Sequence, residues 1–179
     1  MPLSLSRVLL RVVTALKAGR IPCALAGGFA ANLWVRREEV RETHDIDFSV
    51  LTLHPDPAGE VLTHLHRYGF HRTERQVDVR LRRAEFRRIL VDGVPVDFVL
   101  PRNKDFAAAA FRRIRPARVG RTRIQALSPE DVFLFKALAG REKDVPPMAA
   151  LAERPGFDRR YVERWARRLG VWRFAKRCL

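Results

Sequence analysis

The chain contains the stretch Thr43-His44-Asp45-Ile46-Asp47-Phe48, in which acidic and apolar side chains alternate. Side chains alternate between the two faces of a β-strand, so Asp45 and Asp47 should share one face while Ile46 and Phe48 pack on the other. Two neighbouring carboxylates repel each other unless a cation neutralises them, and their oxygens suit Mg²⁺. The pattern predicts a metal site, although an isolated Asp-x-Asp pair is also typical of an exposed edge strand with solvated acids.

A glycine pair lies upstream of the acidic pair. Residues 21–26 are apolar and predict a buried strand, which runs through Gly27 and Gly28 into a helical segment at residues 29–35. Backbone N–H groups at such a turn can hold a phosphate, although any tight turn also uses glycine. A phosphate-binding turn beside a carboxylate-bound metal is what nucleotide transfer from a triphosphate requires.

Two motifs together resemble the signature of minimal nucleotidyltransferases of the DNA polymerase β superfamily: Gly27-Gly28 and Arg41-x-Thr43-x-Asp45-Ile46-Asp47. In that family the Asp-x-Asp strand supplies two metal ligands, and a later strand supplies a third carboxylate. The resemblance implies an α+β fold with a polymerase-β-like core, a mixed sheet flanked by helices. It also implies Mg²⁺ or Mn²⁺ as cofactor and a nucleoside triphosphate as substrate. One departure is the spacing of 16 residues between Gly28 and Asp45, a few more than the family places there, with the excess in residues 34–42.

A β-hairpin is predicted at residues 86–100, where two β-branched runs flank Asp92-Gly93, a dipeptide preferred in type I′ turns. Its second strand carries Asp97, the candidate for the third carboxylate that the resemblance implies. Asp78 and Asp92 are competing acids, but the turn explains Asp92, and Asp78 lies among arginines that could pair with it. The predicted catalytic and metal-binding residues are therefore Asp45, Asp47 and Asp97.

Other side chains near these motifs complete the predicted triphosphate site. The residues expected to bind the nucleotide are Gly27, Gly28, Arg41, Thr43 and Lys136. Arg41 could bind a phosphate through its guanidinium, or it could be one of several arginines in this loop without a role in binding. Lys136 could steady the triphosphate or be an exposed lysine paired with an acid on its own helix. His44 should point away from the acids and is assigned a structural role.

The last third of the chain is predicted to be helical. Ser128 is a good N-cap residue, and the helix that it opens should end near Gly140. Pro146 and Pro147 are expected to break the chain. Residues 158–169 then predict a strongly basic amphipathic helix.

The segment 128–144 also resembles the helix that follows the core in nucleotidyltransferases of the abortive-infection and toxin–antitoxin type. We therefore expect residues 1–127 to form the nucleotidyltransferase core. Residues 128–179 should form a C-terminal helical segment packed on that core.

The chain carries 35 basic residues against 20 acidic ones, a net charge of +15. Such an excess attracts polyanions, which makes RNA a candidate partner, although codon usage in a GC-rich genome would also enrich arginine. Arginine-rich stretches at residues 112–123 and 159–168 would form an RNA track if both face the cleft. Apolar runs fall short of the ~20 residues that span a bilayer, and the two cysteines form no disulfide framework, so we expect a cytoplasmic protein without a membrane partner.

The predicted reaction is an in-line attack of an acceptor hydroxyl on the α-phosphorus of a nucleoside triphosphate, with pyrophosphate leaving. The preferred acceptor is RNA, such as tRNA, or a hydroxyl of a partner protein, as in toxin–antitoxin systems. Two alternatives stay open. One is transfer to a small molecule such as an antibiotic, although +15 is an odd surface for cationic aminoglycosides. The other is an inactive module that kept the fold and binds RNA or protein.

Overall fold

The structure is a computed structural model that describes residues 3–50, 57–70, 73–76 and 84–179. In these ranges the strands are β1 (Cys23–Ala26), β2 (Ile46–Val50), β3 (Thr73–Gln76), β4 (Ala84–Val91), β5 (Val94–Pro101), β6 (Arg115–Val119) and β7 (Thr122–Ala126). The α-helices are α1 (Leu3–Ala18), α2 (Gly27–Trp34), α3 (Pro57–Arg67), α4 (Lys104–Arg112), α5 (Pro129–Ala139), α6 (Val145–Ala152), α7 (Arg159–Arg168) and α8 (Trp172–Ala175). No helix in the described ranges is long and apolar enough to cross a bilayer.

The described strands form one mixed sheet in the order β3-β4-β5-β2-β1-β7-β6. Strand β2 runs parallel to β5, and β1 runs parallel to β7, whereas the other neighbouring pairs are antiparallel. The predicted α+β class with a mixed sheet is therefore confirmed. Strand β2, which carries the acidic motif, lies near the middle of the sheet and not at its edge.

The hairpin of β4 and β5 turns at Asp92 and Gly93, as predicted. Their φ angles are 51° and 77°, and a type I′ turn requires positive φ at both central residues. Val91 pairs with Val94 across the turn. This two-residue turn fixes the register of the whole hairpin, including the partner of Asp97.

Strand β2 alternates between its two faces as its sequence predicts. Ile46 and Phe48 are almost completely buried in the hydrophobic core, and the ring of Phe48 stacks on that of Phe98 with centroids 6.0 Å apart. Asp47 points to the opposite face and is only partly buried. The apolar side chains thus anchor the strand while leaving the acid to face a cleft.

The helix α5 begins and ends where the sequence predicts. The Ser128 hydroxyl accepts a hydrogen bond from the backbone N–H of Asp131 at 3.2 Å, and Gly140 ends the helix in a left-handed conformation with φ of 62°. The predicted basic helix is α7, whose Tyr161 and Trp165 are buried. One hydrophobic cluster includes the sheet, α5 and α7, and the division at residue 127 stays a prediction.

The prediction for Pro146 and Pro147 was wrong. Both residues lie in the first turn of α6, which starts at Val145. The first N–H groups of a helix have no acceptor within the helix, so proline loses nothing there and its fixed φ suits the turn. The two prolines therefore begin a helix.

Candidate active site

Strand pairing places three charged residues in a row across one face of the sheet. Asp47 on β2 pairs with Asp97 on β5 in parallel register, and Asp97 pairs with Arg88 on β4 in antiparallel register. Directly paired residues point to the same face of a sheet. On the other side of Asp47 its partner is Ala26, the residue before the glycine pair. The register therefore brings the glycine turn and two acids together.

This row forms the floor of a cleft of about 380 Å³. All eight residues that the sequence predicted for the site line it: Gly27, Gly28, Arg41, Thr43, Asp45, Asp47, Asp97 and Lys136. The cleft also contains charged residues that were not predicted as site residues: Glu42, Arg88, Arg141, Lys143 and Asp144. Asp78, the competing acid, lies outside the described residues.

Asp47 is the electrostatic centre of the cleft. Burial raises the pKa of its carboxyl to about 7, with further increases from the negative charges of Asp45 and Asp97 and opposition from Lys136 and Arg141. A carboxylate in this position is costly to ionise without a cation. The carboxylate oxygens of Asp45, Asp47 and Asp97 are ligands that suit a hard divalent cation such as Mg²⁺.

The arrangement is not a closed metal cage. In the part of the chain that the structure describes, no three acidic, histidine or cysteine side chains are already grouped to hold a metal ion. Both carboxylate oxygens of Asp97 instead accept hydrogen bonds of 2.7 Å from Arg88, one from Nε and one from an Nη. The guanidinium of Arg88 therefore already provides a positive charge beside Asp97.

Arg88 was missed by the sequence interpretation, but a signal for it was present. A two-residue turn at Asp92-Gly93 pairs Val91 with Val94, and counting outward three pairs places Arg88 opposite Asp97. The predicted hairpin therefore contained the partner of the third acid. Opposite charges directly across a strand pair attract each other.

Gly27 allows the glycine turn to approach the acidic pair. Its φ is 61°, and a Cβ at this position would overlap the carboxylate of Asp47. A Cβ on Gly28 would lie 3.1 Å from the hydroxyl oxygen of Thr43. Ala26, at the N-cap of α2, has no polar side chain to cap the first N–H groups of the helix, so they are suited to bind an anion.

Thr43 and Arg41 lie on the connection between α2 and β2. The Thr43 hydroxyl donates to Asp45 Oδ1 at 3.1 Å. The Arg41 backbone is tied to α2 by the side chain of Asn32, which accepts from Arg41 N at 3.1 Å and donates to Arg41 O at 2.6 Å. The long connection is thus fixed beside the cleft, and a phosphate contact by Arg41 stays a prediction.

The exposed-lysine interpretation of Lys136 was wrong. Lys136 is only 5% exposed, and its Nζ donates to Asp144 Oδ1 at 2.8 Å. Asp144 lies in a 3₁₀ turn beyond the end of α5, so the partner is not an acid on the same helix. Helical spacing could not identify this contact, because it depends on the chain reversal after Gly140.

His44 does not pack on the face opposite the acids. Strand β2 starts at Ile46, so His44 precedes the strand and its alternation does not apply. The side chain is 78% exposed and its Nε2 lies 3.8 Å from Glu42 Oε1. His44 therefore lies at the mouth of the cleft.

The two arginine-rich stretches do not line the cleft. The cleft contains none of the arginines in residues 112–123 or 159–168. Several of them bind within the protein: Arg113 pairs with Glu130 at 2.9 Å and lies 4.1 Å from the centroid of the Tyr161 ring. Arg118, however, lines an adjoining cavity that shares four residues with the cleft, so RNA binding by these stretches stays a prediction.

Comparison with known proteins adds the family context. The model of the aminoglycoside-2''-adenylyltransferase family matches residues 8–151. The fold is similar to that of a Thermotoga maritima protein described as a nucleotidyltransferase, with a TM-score of 0.58 and 17% identity over 80% of this chain and 89% of that one. No curated protein sequence matches the chain.

The fold is also similar to two structures of the antibiotic-resistance factor ANT(2'')-Ia. The solution structure gives a TM-score of 0.55 and 14% identity over 98% of this chain and 84% of that one. The crystal structure with adenylyl-2''-tobramycin gives 0.51 and 13% over 96% and 87%. At identities this low, the likeness concerns the fold.

Replacing Asp47 by Asn should change the stability of the metal-free protein in a pH-dependent way. The pKa of Asp47 is about 7 in the folded chain, against an ordinary value of 3.8 for an aspartate carboxyl. Between these values the folded state holds the extra proton, so the stability contributed by Asp47 falls as pH rises through this window. Thermal melting in EDTA should show similar Tm values for the two proteins near pH 4 and a higher Tm for Asp47→Asn at pH 8.

The exposed Asp105 on α4 provides the matched control, because Asp105→Asn removes the same charge away from the cleft. A Tm difference between wild type and Asp47→Asn that stays constant from pH 4 to pH 8 would contradict the electrostatic assignment.

Replacing Gly27 by Ala should impair nucleotide binding beyond its effect on stability. Gly27 and Gly156 both have positive φ, but only at Gly27 would the new Cβ meet the carboxylate of Asp47. Both variants should lose about 1 kcal/mol or more from the positive φ. Calorimetry should show weaker Mg-ATP binding for Gly27→Ala alone, and equal affinities in both variants would refute the role of this close approach.

Proposed function

Because the chain belongs to the aminoglycoside-2''-adenylyltransferase family and is a nucleotidyltransferase, we propose that it transfers a nucleoside monophosphate from a nucleoside triphosphate to a hydroxyl of a small molecule. ATP is the donor that the family name suggests. The predicted resemblance to polymerase-β-type nucleotidyltransferases is confirmed. The open question is the acceptor, and the cleft supports a small one.

The proposal rests on one observation: the three acids and the glycine turn lie side by side in the same cleft. Asp45, Asp47 and Asp97 line one cleft with Gly27 and Gly28, and the pKa of Asp47 is raised by the other two acids as well as by burial. We assign Asp45 and Asp47 as ligands of Mg²⁺ or Mn²⁺, with Asp97 close enough in register to share a second ion. When bound, the metal neutralises charge on the transferring phosphoryl group and on the leaving pyrophosphate.

The protein groups around the acids have separate tasks in this reaction. Backbone N–H groups at Gly27 and Gly28 bind phosphate oxygens at the N-terminus of α2. Thr43 holds the Asp45 carboxylate through its hydroxyl. Asp97 orients the acceptor hydroxyl. Arg88 keeps the Asp97 carboxylate in one orientation through its two hydrogen bonds.

A small acceptor is favoured over RNA by the family and by the residues that line the cleft. The family is defined by transfer to an aminoglycoside, and the similar ANT(2'')-Ia structure contains adenylyl-2''-tobramycin. In addition, the arginine-rich stretches lie outside the cleft lining. A cationic acceptor would meet Glu42 at the mouth of the cleft. The free cysteines fit a reducing compartment, so we place the proposed reaction in the cytoplasm.

RNA remains the second candidate because of the net charge of +15. Phosphate contacts by several arginines release counterions, so RNA binding would weaken steeply with salt. A small acceptor would show little of this dependence. A partner-protein hydroxyl, as in toxin–antitoxin systems, has no comparable support from the described surface.

The test is to follow the label from each α-³²P-labelled nucleoside triphosphate with Mg²⁺ and three acceptor pools. The pools are aminoglycosides and other hydroxylated antibiotics, total cellular RNA, and lysate protein. We expect label from ATP in the small-molecule pool, no transfer in EDTA, and a rate reduced about 100-fold or more in Asp47→Asn. The Asp105→Asn control should transfer normally.

Label in RNA alone would replace the small acceptor by the second candidate. Label in no pool, with Mg-ATP bound tightly, would place the acceptor outside all three classes. Transfer that proceeds normally in Asp47→Asn would overturn the catalytic assignment itself.

A further inference from the structure

Two cations share one buried acid on the wall of the cleft. Lys136 Nζ donates to Asp144 Oδ1 at 2.8 Å, and Arg141 Nε donates to Asp144 Oδ2 at 2.6 Å. Lys136 and Asp144 are 5% and 3% exposed, whereas the Arg141 side chain is 54% exposed. All three residues line the cleft that contains the acids.

The fold brings these groups together through the end of α5. Lys136 lies in the last turn of that helix, and Gly140 reverses the chain in a left-handed conformation. The following 3₁₀ turn, Glu142–Asp144, returns Asp144 to the side of Lys136. The chain reversal thus places one carboxylate beside two cations.

Stability alone does not account for this group. A buried ion pair is often no more stabilising than apolar side chains of similar volume, because both charges lose their hydration. Burial raises the pKa of Asp144, but Lys136 and Arg141 outweigh that effect and hold it below its usual value. Asp144 is therefore ionised at neutral pH.

The cations also act across the cleft. Both Lys136 and Arg141 lower the pKa of Asp47, so their charges reach the predicted metal ligand. A site with acids on one wall and two fixed cations on another is complementary to a metal-bound polyphosphate, in which a cation and several anionic oxygens lie side by side.

We propose that Asp144 is a positioning residue that holds Lys136 and Arg141 as a pair of cations for the β- and γ-phosphates of the nucleoside triphosphate. This inference deepens the proposed function and rests on it. Each bond to Asp144 uses one N–H group, whereas an ammonium has three and a guanidinium five. Both cations can therefore hold Asp144 and a phosphate at the same time.

The first test measures binding of magnesium tripolyphosphate by calorimetry. This ligand has no nucleoside and the measurement requires no acceptor, so it reports the phosphate contacts alone. The double variant Lys136→Met/Asp144→Leu replaces the buried pair by apolar side chains of similar size. We expect its Tm to equal or exceed that of wild type, while its affinity for tripolyphosphate falls about tenfold or more. Unchanged affinity in this folded variant would show that the pair is only structural and would overturn the proposal.

The second test separates positioning from a general effect on the fold. In Asp144→Asn the neutral side chain cannot hold two cations equally, so KM for ATP should rise about tenfold while kcat changes less than about threefold. The control is Glu142→Gln in the same turn, because Glu142 is exposed and pairs with Arg177 at 2.8 Å, outside the cleft. We expect this control to match wild type in KM and in tripolyphosphate affinity.

A fall in kcat without a rise in KM in Asp144→Asn, or an equal loss of affinity in Glu142→Gln, would also overturn the positioning role. If wild type fails to bind magnesium tripolyphosphate, both this inference and the proposed nucleotide transfer fail. If wild type binds it and the double variant binds it equally well, only the positioning role fails.

Discussion

The pairing of Asp47 with Asp97 in parallel register is the constraint on which the rest of the site depends. The apolar partners Ile46 and Phe48 lock β2 into the core, so Asp47 cannot turn away from its neighbour. Two acids fixed side by side create a local excess of negative charge, and burial together with the charges of Asp45 and Asp97 raises the pKa of Asp47. The surrounding cations offset that excess, and a divalent metal bound as proposed would offset it further.

Groups on each wall of the cleft offset the negative charge of the two acids. Arg88 pairs with Asp97 within the sheet, and Lys136 and Arg141 both pair with Asp144 on the helical side of the cleft. The glycine turn adds N–H groups without a side chain in the way. A metal bound to a triphosphate would bring both signs of charge into such a cleft, which is the electrostatic complementarity that the proposed function requires.

Patterns local in sequence predicted most of the fold. The alternation at residues 46–48, the Asp92-Gly93 turn and the Ser128 cap each depend on neighbours within a few positions, and the structure contains all three, although Asp45 itself precedes β2. The contacts that sequence did not reveal join distant segments. Asp144 meets Lys136 only after a chain reversal, and the arginine-rich stretches bind aromatic rings and acids of other elements. The prediction for Pro146 and Pro147 was wrong because proline breaks a helix only in its interior and is accepted in its first turn, where both residues lie.

The central claim is that the paired acids hold a divalent metal beside the glycine turn. Its most direct test is the anomalous scattering of Mn²⁺ in crystals grown with a non-hydrolysable ATP analogue. We predict a manganese peak coordinated by the carboxylates of Asp45 and Asp47, with phosphate oxygens at the N–H groups of Gly27 and Gly28. A triphosphate bound in the cleft without manganese, or manganese bound away from both acids, would contradict the assignment.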